Sequence, residues 1–209
     1  MKKVLIVLAV LMVLFLGIAG IFGLKALGTY NGIIGEQENV KAKWAQVQNV
    51  YQRRSDLIPN LAATVEGYAK HEASTLTEVA QARSQMGGIV KLDEGMMRDP
   101  AAMQRFQQAQ STFAGGLQRL MMVSEKYPDL KANEQFNAMM VQLEGTENRI
   151  SVERGRYNEA VQAFNTMVRQ FPANIVAGFM QVTPFVTFAA TAVAQEAPKV
   201  QFNTGSNAK

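Results

Sequence analysis

No cysteine occurs in the 209 residues, and histidine and tryptophan appear once each, as His71 and Trp44. Without a thiol there are no disulfides, no thiolate metal sites and no cysteine nucleophile. With one imidazole, a Ser-His-Asp triad has a single available base, and no nucleophile elbow accompanies it. Metal coordination falls to carboxylates, and their spacing suggests no cluster. His71 beside Glu72 reads as a helix-surface residue. The 12 methionines read as core and loop filling rather than a copper(I) site. The expectation is therefore a chain that is not an enzyme, with no catalytic, cofactor-binding or metal-binding residues.

Charge of one sign is scarce as well. Setting Lys2, Lys3 and Lys25 aside from the 21 basic residues leaves 18 against 17 acidic ones. No basic stripe remains to neutralise phosphates, so no nucleic-acid partner is expected.

What is present begins at the N-terminus. Residues 4–24, VLIVLAVLMVLFLGIAGIFGL, form an uncharged run of about the length that crosses a bilayer as a helix, and Lys25 closes it. About fifteen of its residues are Val, Leu, Ile or Phe, each worth roughly −0.3 to −0.6 kcal/mol on an insertion scale, which favours spanning. A cleaved signal peptide is the rival, with Ala26-Leu27-Gly28 as a weak cleavage site, but its apolar core is only about 7 to 15 residues. Two lysines and the terminal amine precede the span and one lysine follows it. The positive-inside rule then leaves the N-terminus cytoplasmic and the remainder outside.

From Val40 the apolar positions Val40, Trp44, Val47, Tyr51, Ile58, Leu61, Val65, Tyr68, Leu76 and Val79 advance by threes and fours, the stripe of one long helix. The stripe keeps its phase through Pro59, which predicts a kinked helix rather than two independent ones. Asp56, one turn from both Arg53 and Asn60, is expected to support the bend. Residues 86–99 read as a connection ending in Asp99 as N-cap and Pro100 as the first helical residue. A second helix carries Met103, Phe106, Phe113, Leu117 and Leu120. Asn133 is expected to cap a third, with Phe136, Met140, Leu143, Ile150, Tyr157, Val161, Phe164, Val168 and Phe171 as its stripe. Beyond Pro172 comes a shorter helix and an apolar extension broken by Pro184. The fold class expected is all-α: an N-terminal transmembrane helix (1–28), an antiparallel bundle of three long helices and a shorter fourth (29–181), and a C-terminal extension and polar tail (182–209).

Four slots of the apolar stripes hold charge: Arg54, Glu72, Glu147 and Arg154. Ionised groups in a core are costly unless paired, so these predict an interhelical ion-pair network that fixes register. Loss of either arginine is expected to cost roughly 3–5 kcal/mol. A ligand or proton site is one alternative, and charged heads that snorkel to solvent are the other.

The stretches QRRSDLIPNL, VEGYAKHE, VAQAR, TENRISVERGRYNEAVQAFN and QFPANIVAGF resemble the LemA family of membrane-anchored bacterial proteins. The resemblance implies an uncleaved anchor, a long-helix bundle outside the inner membrane and no established enzymatic activity. It picks out Arg53, Arg54, Asp56, Pro59, Asn60, Tyr68, Glu72, Ala82, Arg83, Glu147, Arg154, Tyr157, Asn158 and Pro172 as recurring positions. Ser55 departs from the pattern, and so does the apolar tail VTPFVTFAATAVAQEA. Phe179, Phe185 and Phe188 in that C-terminal region are candidates for packing on the bundle, for joining copies or for touching the bilayer. The functional expectation is a scaffold or interaction protein of the envelope. Its partners are membrane lipid through residues 4–24, further copies in a homo-oligomer, and envelope proteins. A sensor or adaptor that binds a small ligand or peptide at the Arg/Glu seam is the alternative.

Overall fold

A computed structural model describes residues 2–66, 77, 95–124 and 128–189. The first element, α1 (Lys2–Glu66), is one unbroken helix of 65 residues, roughly 97 Å long at about 1.5 Å per residue. Its N-terminal part contains a window of mean hydropathy 2.1, long and apolar enough to cross a membrane, with none of that window buried. Burial begins at Ile33 and recurs at Val40, Trp44, Val47, Tyr51, Arg54, Ile58 and Leu61, the spacing of one face. The apolar run and the first bundle helix are thus a single rod, and no hinge separates residue 28 from residue 29. Pro59 lies inside this helix, as the unbroken stripe requires.

A 3₁₀ turn, Met96–Arg98, leads to α2 (Pro100–Ser124). Asp99 caps α2, its Oδ1 accepting from the backbone N–H of Ala101 at 2.8 Å and of Ala102 at 3.1 Å. After the single turn α3 (Pro128–Lys131), Asn133 caps α4 (Glu134–Met167) by accepting from Phe136 N–H at 2.9 Å. The last helix is α5 (Ala173–Phe179). Among the described residues there is no strand.

Ring contacts set the directions. Tyr51 meets Phe106 edge-on at 5.1 Å and Arg54 reaches Phe113, so α2 runs alongside α1 in the same direction, where an antiparallel neighbour was expected. On α4 the order is reversed: Phe164 and Tyr157 pack with Val40 and Trp44, whereas Leu143 and Phe136 pack near Ile58 and Leu61. Tyr68, Glu72, Ala82 and Arg83 lie outside the described residues.

The chain leaves α5 through a cap of unusual composition. Gln181 adopts φ 53°, Val182 N–H donates to Ala177 C=O at 3.0 Å, and Gln181 N–H donates to Gly178 C=O at 3.2 Å. This is the pair of bonds that closes a helix when the following residue is left-handed, a place where glycine is usual. Gln181→Gly removes the Cβ strain but adds unfolded-state freedom. Chemical denaturation is expected to show a stability rise of up to about 1 kcal/mol.

Candidate functional site

The core is two apolar clusters. The first holds Ile33 through Tyr51 on α1, Met103 and Phe106 on α2, and Ile150 to Val168 on α4. The second holds Ile58, Leu61, Phe113, Leu117, Leu130, Phe136, Met139 and Leu143. Between them lies one polar layer, with a residue from each long helix. Arg54 is 2% exposed, its Nη1 donating to Glu147 Oε1 at 2.8 Å and its Nη2 to Gln110 Oε1. Its guanidinium also lies 5.0 Å from the Tyr51 ring centroid and 4.5 Å from that of Phe113. A charge so placed is tolerated because α4 and α2 supply its acceptors at one height, which also fixes the register of all three helices.

Arg154, expected in the same ion-pair network, has another role. Among the described residues no carboxylate pairs with it. It caps the Phe188 ring at 4.7 Å and donates to Ala189 C=O at 3.2 Å. The second arginine thus acts on the C-terminal segment, and the network in the described residues reduces to Arg54, Gln110 and Glu147.

That segment, residues 182–189, is extended and lies along α4. Two asparagines one heptad apart hold its main chain. Asn165 Nδ2 donates to Phe185 C=O at 2.8 Å and its Oδ1 accepts from Phe185 N–H at 3.0 Å. Asn158 does the same at Phe188, with distances of 3.1 Å and 2.8 Å. The spacing agrees, because seven helical residues rise about 10.5 Å and three extended residues cover about 10 Å. The strap therefore runs antiparallel to α4.

Further groups of the strap are met from other elements. Tyr157 Oη donates to Val186 C=O at 3.0 Å, and Val186 N–H donates to Met97 C=O at 2.8 Å. Ala189 N–H donates to Gln107 Oε1 at 3.1 Å, and Arg98 Nη1 to Thr183 Oγ1 at 2.6 Å. Pro184 has no N–H to satisfy, which suits an extended chain that is not part of a sheet.

Phe185 and Phe188 are the anchors of the strap, both buried. Phe188 stacks on Trp44 at 5.7 Å and meets Tyr157 edge-on at 5.4 Å, while Phe185 lies 4.9 Å from Phe164 with Arg98 over its other face. Both rings belong to the first core cluster, so residues 182–189 are an integral layer of the bundle.

Other residues singled out by the sequence lie elsewhere. Arg53 and Asn60 are exposed, and Asp56 accepts from Gln52 Nε2 at 2.7 Å rather than from Arg53. Asn60 contributes its carbonyl, which accepts from Thr64 Oγ1 at 2.9 Å. Pro172 caps α5 from an exposed position, and Phe171, expected in the core stripe of α4, is exposed. The sequence reading missed Gln107, Gln110 and Asn165. A heptad partner for Asn158 was the available signal for the last of these.

Burial raises the pKa of the Tyr157 phenol above its ordinary value of 10.0, with Arg98 opposing the shift; burial likewise raises that of Tyr51, opposed by Arg154 and Arg54. The unfolded phenols ionise near pH 10 while the folded ones stay neutral. Their stabilising contribution is therefore complete below that value and is lost as pH rises through the folded-state values. Denaturation midpoints should fall above pH of about 10. Tyr157→Phe should flatten that fall, as read by urea titration across pH.

The sequence profile of the LemA family matches residues 43–202, which include the strap and the buried face of α1 from Trp44 onward. The chain belongs to the LemA family. Among curated relatives, "Magnetosome protein MamQ 2" of Paramagnetospirillum magneticum is 27% identical over 167 residues, covering 71% of this chain and 60% of its own length. "Magnetosome protein MamQ" of Magnetospirillum gryphiswaldense is 26% identical over 178 residues, 75% of this chain and 64% of its own. "Protein LemA" of Metamycoplasma hominis is 23% identical over 174 residues, 83% and 75% respectively. The chain thus spans less than two thirds of the length of the MamQ proteins it matches.

Proposed function

We propose that this LemA-family chain is a non-enzymatic, membrane-anchored interaction protein of the bacterial envelope, with its N-terminus cytoplasmic, its bundle outside the inner membrane, and its copies associating through the bundle. The observation that carries the reading is the use of the polar residues. Arg54, Gln110, Glu147, Tyr157, Asn158 and Asn165 all hold one element of the fold to another. Their hydrogen-bonding capacity goes to architecture, and the rod of α1 ties that architecture to an apolar anchor. Self-association draws support from α4, where Val141 and Val152, three turns apart on one face, are 69% and 51% exposed. The Glu153–Arg156 ion pair, closed at 2.7 Å, lies beside Val152.

A second reading, a small ligand or peptide in the seam, has one observation in its favour. Trp44 Nε1 and Gln110 Nε2 are buried donors without an acceptor among the described residues. The closure of the layer around Arg54 weighs against it.

A chain free of cysteine gives a clean test through Val152→Cys. In intact spheroplasts the introduced thiol should react with a membrane-impermeant maleimide, and mild oxidation should cross-link two copies. Absence of labelling contradicts the orientation, and labelling without cross-linking contradicts self-association through this face.

A further inference from the structure

The apolar stretch of α1 ends at Lys25, and beside that end the fold presents an apolar face that no other described residue covers. Phe171, Ile175 and Phe179 are 74%, 51% and 87% exposed. They are spaced four apart and lie on one side of α5 and its entry, while Ala173 and Ala177 on the other side are buried in the core. From Gln170 to Gln195 the sequence has no charged residue. A water-facing helix edge of this composition is unusual in a fold whose other described aromatic rings C-terminal to Tyr30 are all buried.

Its level along α1 identifies what covers it. The stretch of α1 from Ile21 to Thr29 faces Phe171, Pro172, Ile175 and Val176 across an apolar groove of about 550 Å³. Nine residues of helix rise about 13 Å, so the groove straddles Lys25, where the uncharged run gives way to polar sequence. With residues 4–24 filling the hydrocarbon core of about 30 Å, α5 lies at the boundary between acyl chains and headgroups. The exposed face is then continuous with the lipid-facing surface of the anchor. Lys25 and the exposed Arg169 flank it and match anionic headgroups.

We infer that Phe171, Ile175 and Phe179 form a second membrane contact, seated in the outer headgroup–acyl boundary beside the anchor, which holds the bundle at a fixed tilt and rotation on the bilayer. The inference rests on the reading of residues 4–24 as a membrane span. A lone helix leaves the bundle free to spin about its axis, whereas two contacts at one level do not. Exposed aromatic and aliphatic side chains with a charge-free flank are what such an interfacial element needs. A second copy of the chain, the competing occupant, is an outcome of the test below.

The test uses the full chain in phosphatidylethanolamine–phosphatidylglycerol vesicles, with an environment-sensitive fluorophore on single thiols and quenching by lipids that carry a spin label near the headgroup end of the acyl chain. Phe179→Cys probes the face, Phe22→Cys the anchor, and Ser111→Cys a remote exposed site on α2. Quenching at Phe179→Cys should exceed that at Ser111→Cys at least about threefold and approach that at Phe22→Cys. Quenching at Phe179→Cys equal to Ser111→Cys, with Phe22→Cys quenched, overturns the inference and leaves the anchor intact. A probe at Phe22→Cys that lipid does not quench overturns the anchor and the inference with it. Shielding of Phe179→Cys that grows with protein density assigns the face to a second copy and also overturns the inference. Circular dichroism of each variant confirms that the bundle is folded.

Discussion

Replacing Phe188 with alanine is expected to destabilise the bundle by about 3–5 kcal/mol, the range for truncating a buried aromatic ring. The ring touches Trp44, Tyr157 and Phe106 and lies under Arg154, so its loss opens the first core cluster at the meeting point of α1, α2 and α4. The change also has a local signature. Phe188 anchors a strap with no helix or sheet of its own, and its release leaves the backbone bonds from Asn158 and Gln107 without their partner. Trp44 is the only tryptophan in the chain, so its emission reports the event directly. A red-shifted spectrum, a lower urea midpoint and new protease cleavage within 182–189 are the expected results. A strap that lies passively on the surface gives none of them.

Arg54→Ala is the second large effect, and its comparison with Arg154→Ala decides how the charged seam works. Arg54 is almost wholly buried, but the side chain of Glu147 is 40% exposed and regains water when the guanidinium is removed. The loss therefore comes from the cavity between Tyr51 and Phe113 and from Gln110, which is left buried without its donor. Together these amount to about 2–4 kcal/mol, toward the lower end of what breaking a buried pair costs. Arg154 has no carboxylate to leave behind. Its ring contact, its bond to the Ala189 carbonyl and its hydrogen bond to the Tyr51 phenol, on a partly exposed side chain, are worth about 1–2 kcal/mol, below the loss the seam pattern suggests. Guanidinium denaturation of the two variants should rank them in that order. Arg54→Met combined with Gln110→Leu should recover most of the loss, because apolar side chains of similar volume fill the cavity and remove the buried amide that lost its donor.

The helical frame was legible because one physical rule governs it. Side chains such as Trp44, Tyr51 and Ile58 must share a face to leave water together, and that requirement writes a period into the sequence. The caps at Asp99 and Asn133 were legible for a similar reason, since short acceptor side chains fit the free N–H groups at a helix start. The seam was half legible. Charge in an apolar slot drew attention to Arg54 and Glu147, but Gln110 is neutral and merges with the surface glutamines of α2.

The strap was the least legible part, because its hydrogen-bond partners lie 20 to 89 residues away in the chain. Composition reported only that residues 182–189 are apolar; the bonds that turn this segment into core come from Asn158, Asn165 and Gln107 on other elements. The exit from α5 was hidden because glutamine stands where glycine normally marks a left-handed cap. The continuity of α1 through Gly28, Gly32 and Gly35 also runs against propensity, since each glycine weakens a helix by about 1 kcal/mol.

The account depends most on the anchor and the first bundle helix being one rod. Spin labels at Val13→Cys and Gln46→Cys, measured by pulsed dipolar spectroscopy on the full chain in lipid nanodiscs, test this directly. Thirty-three residues of continuous helix predict one narrow distance distribution near about 50 Å. A broad distribution, or one centred well below that value, means a hinge between membrane and bundle and contradicts the account.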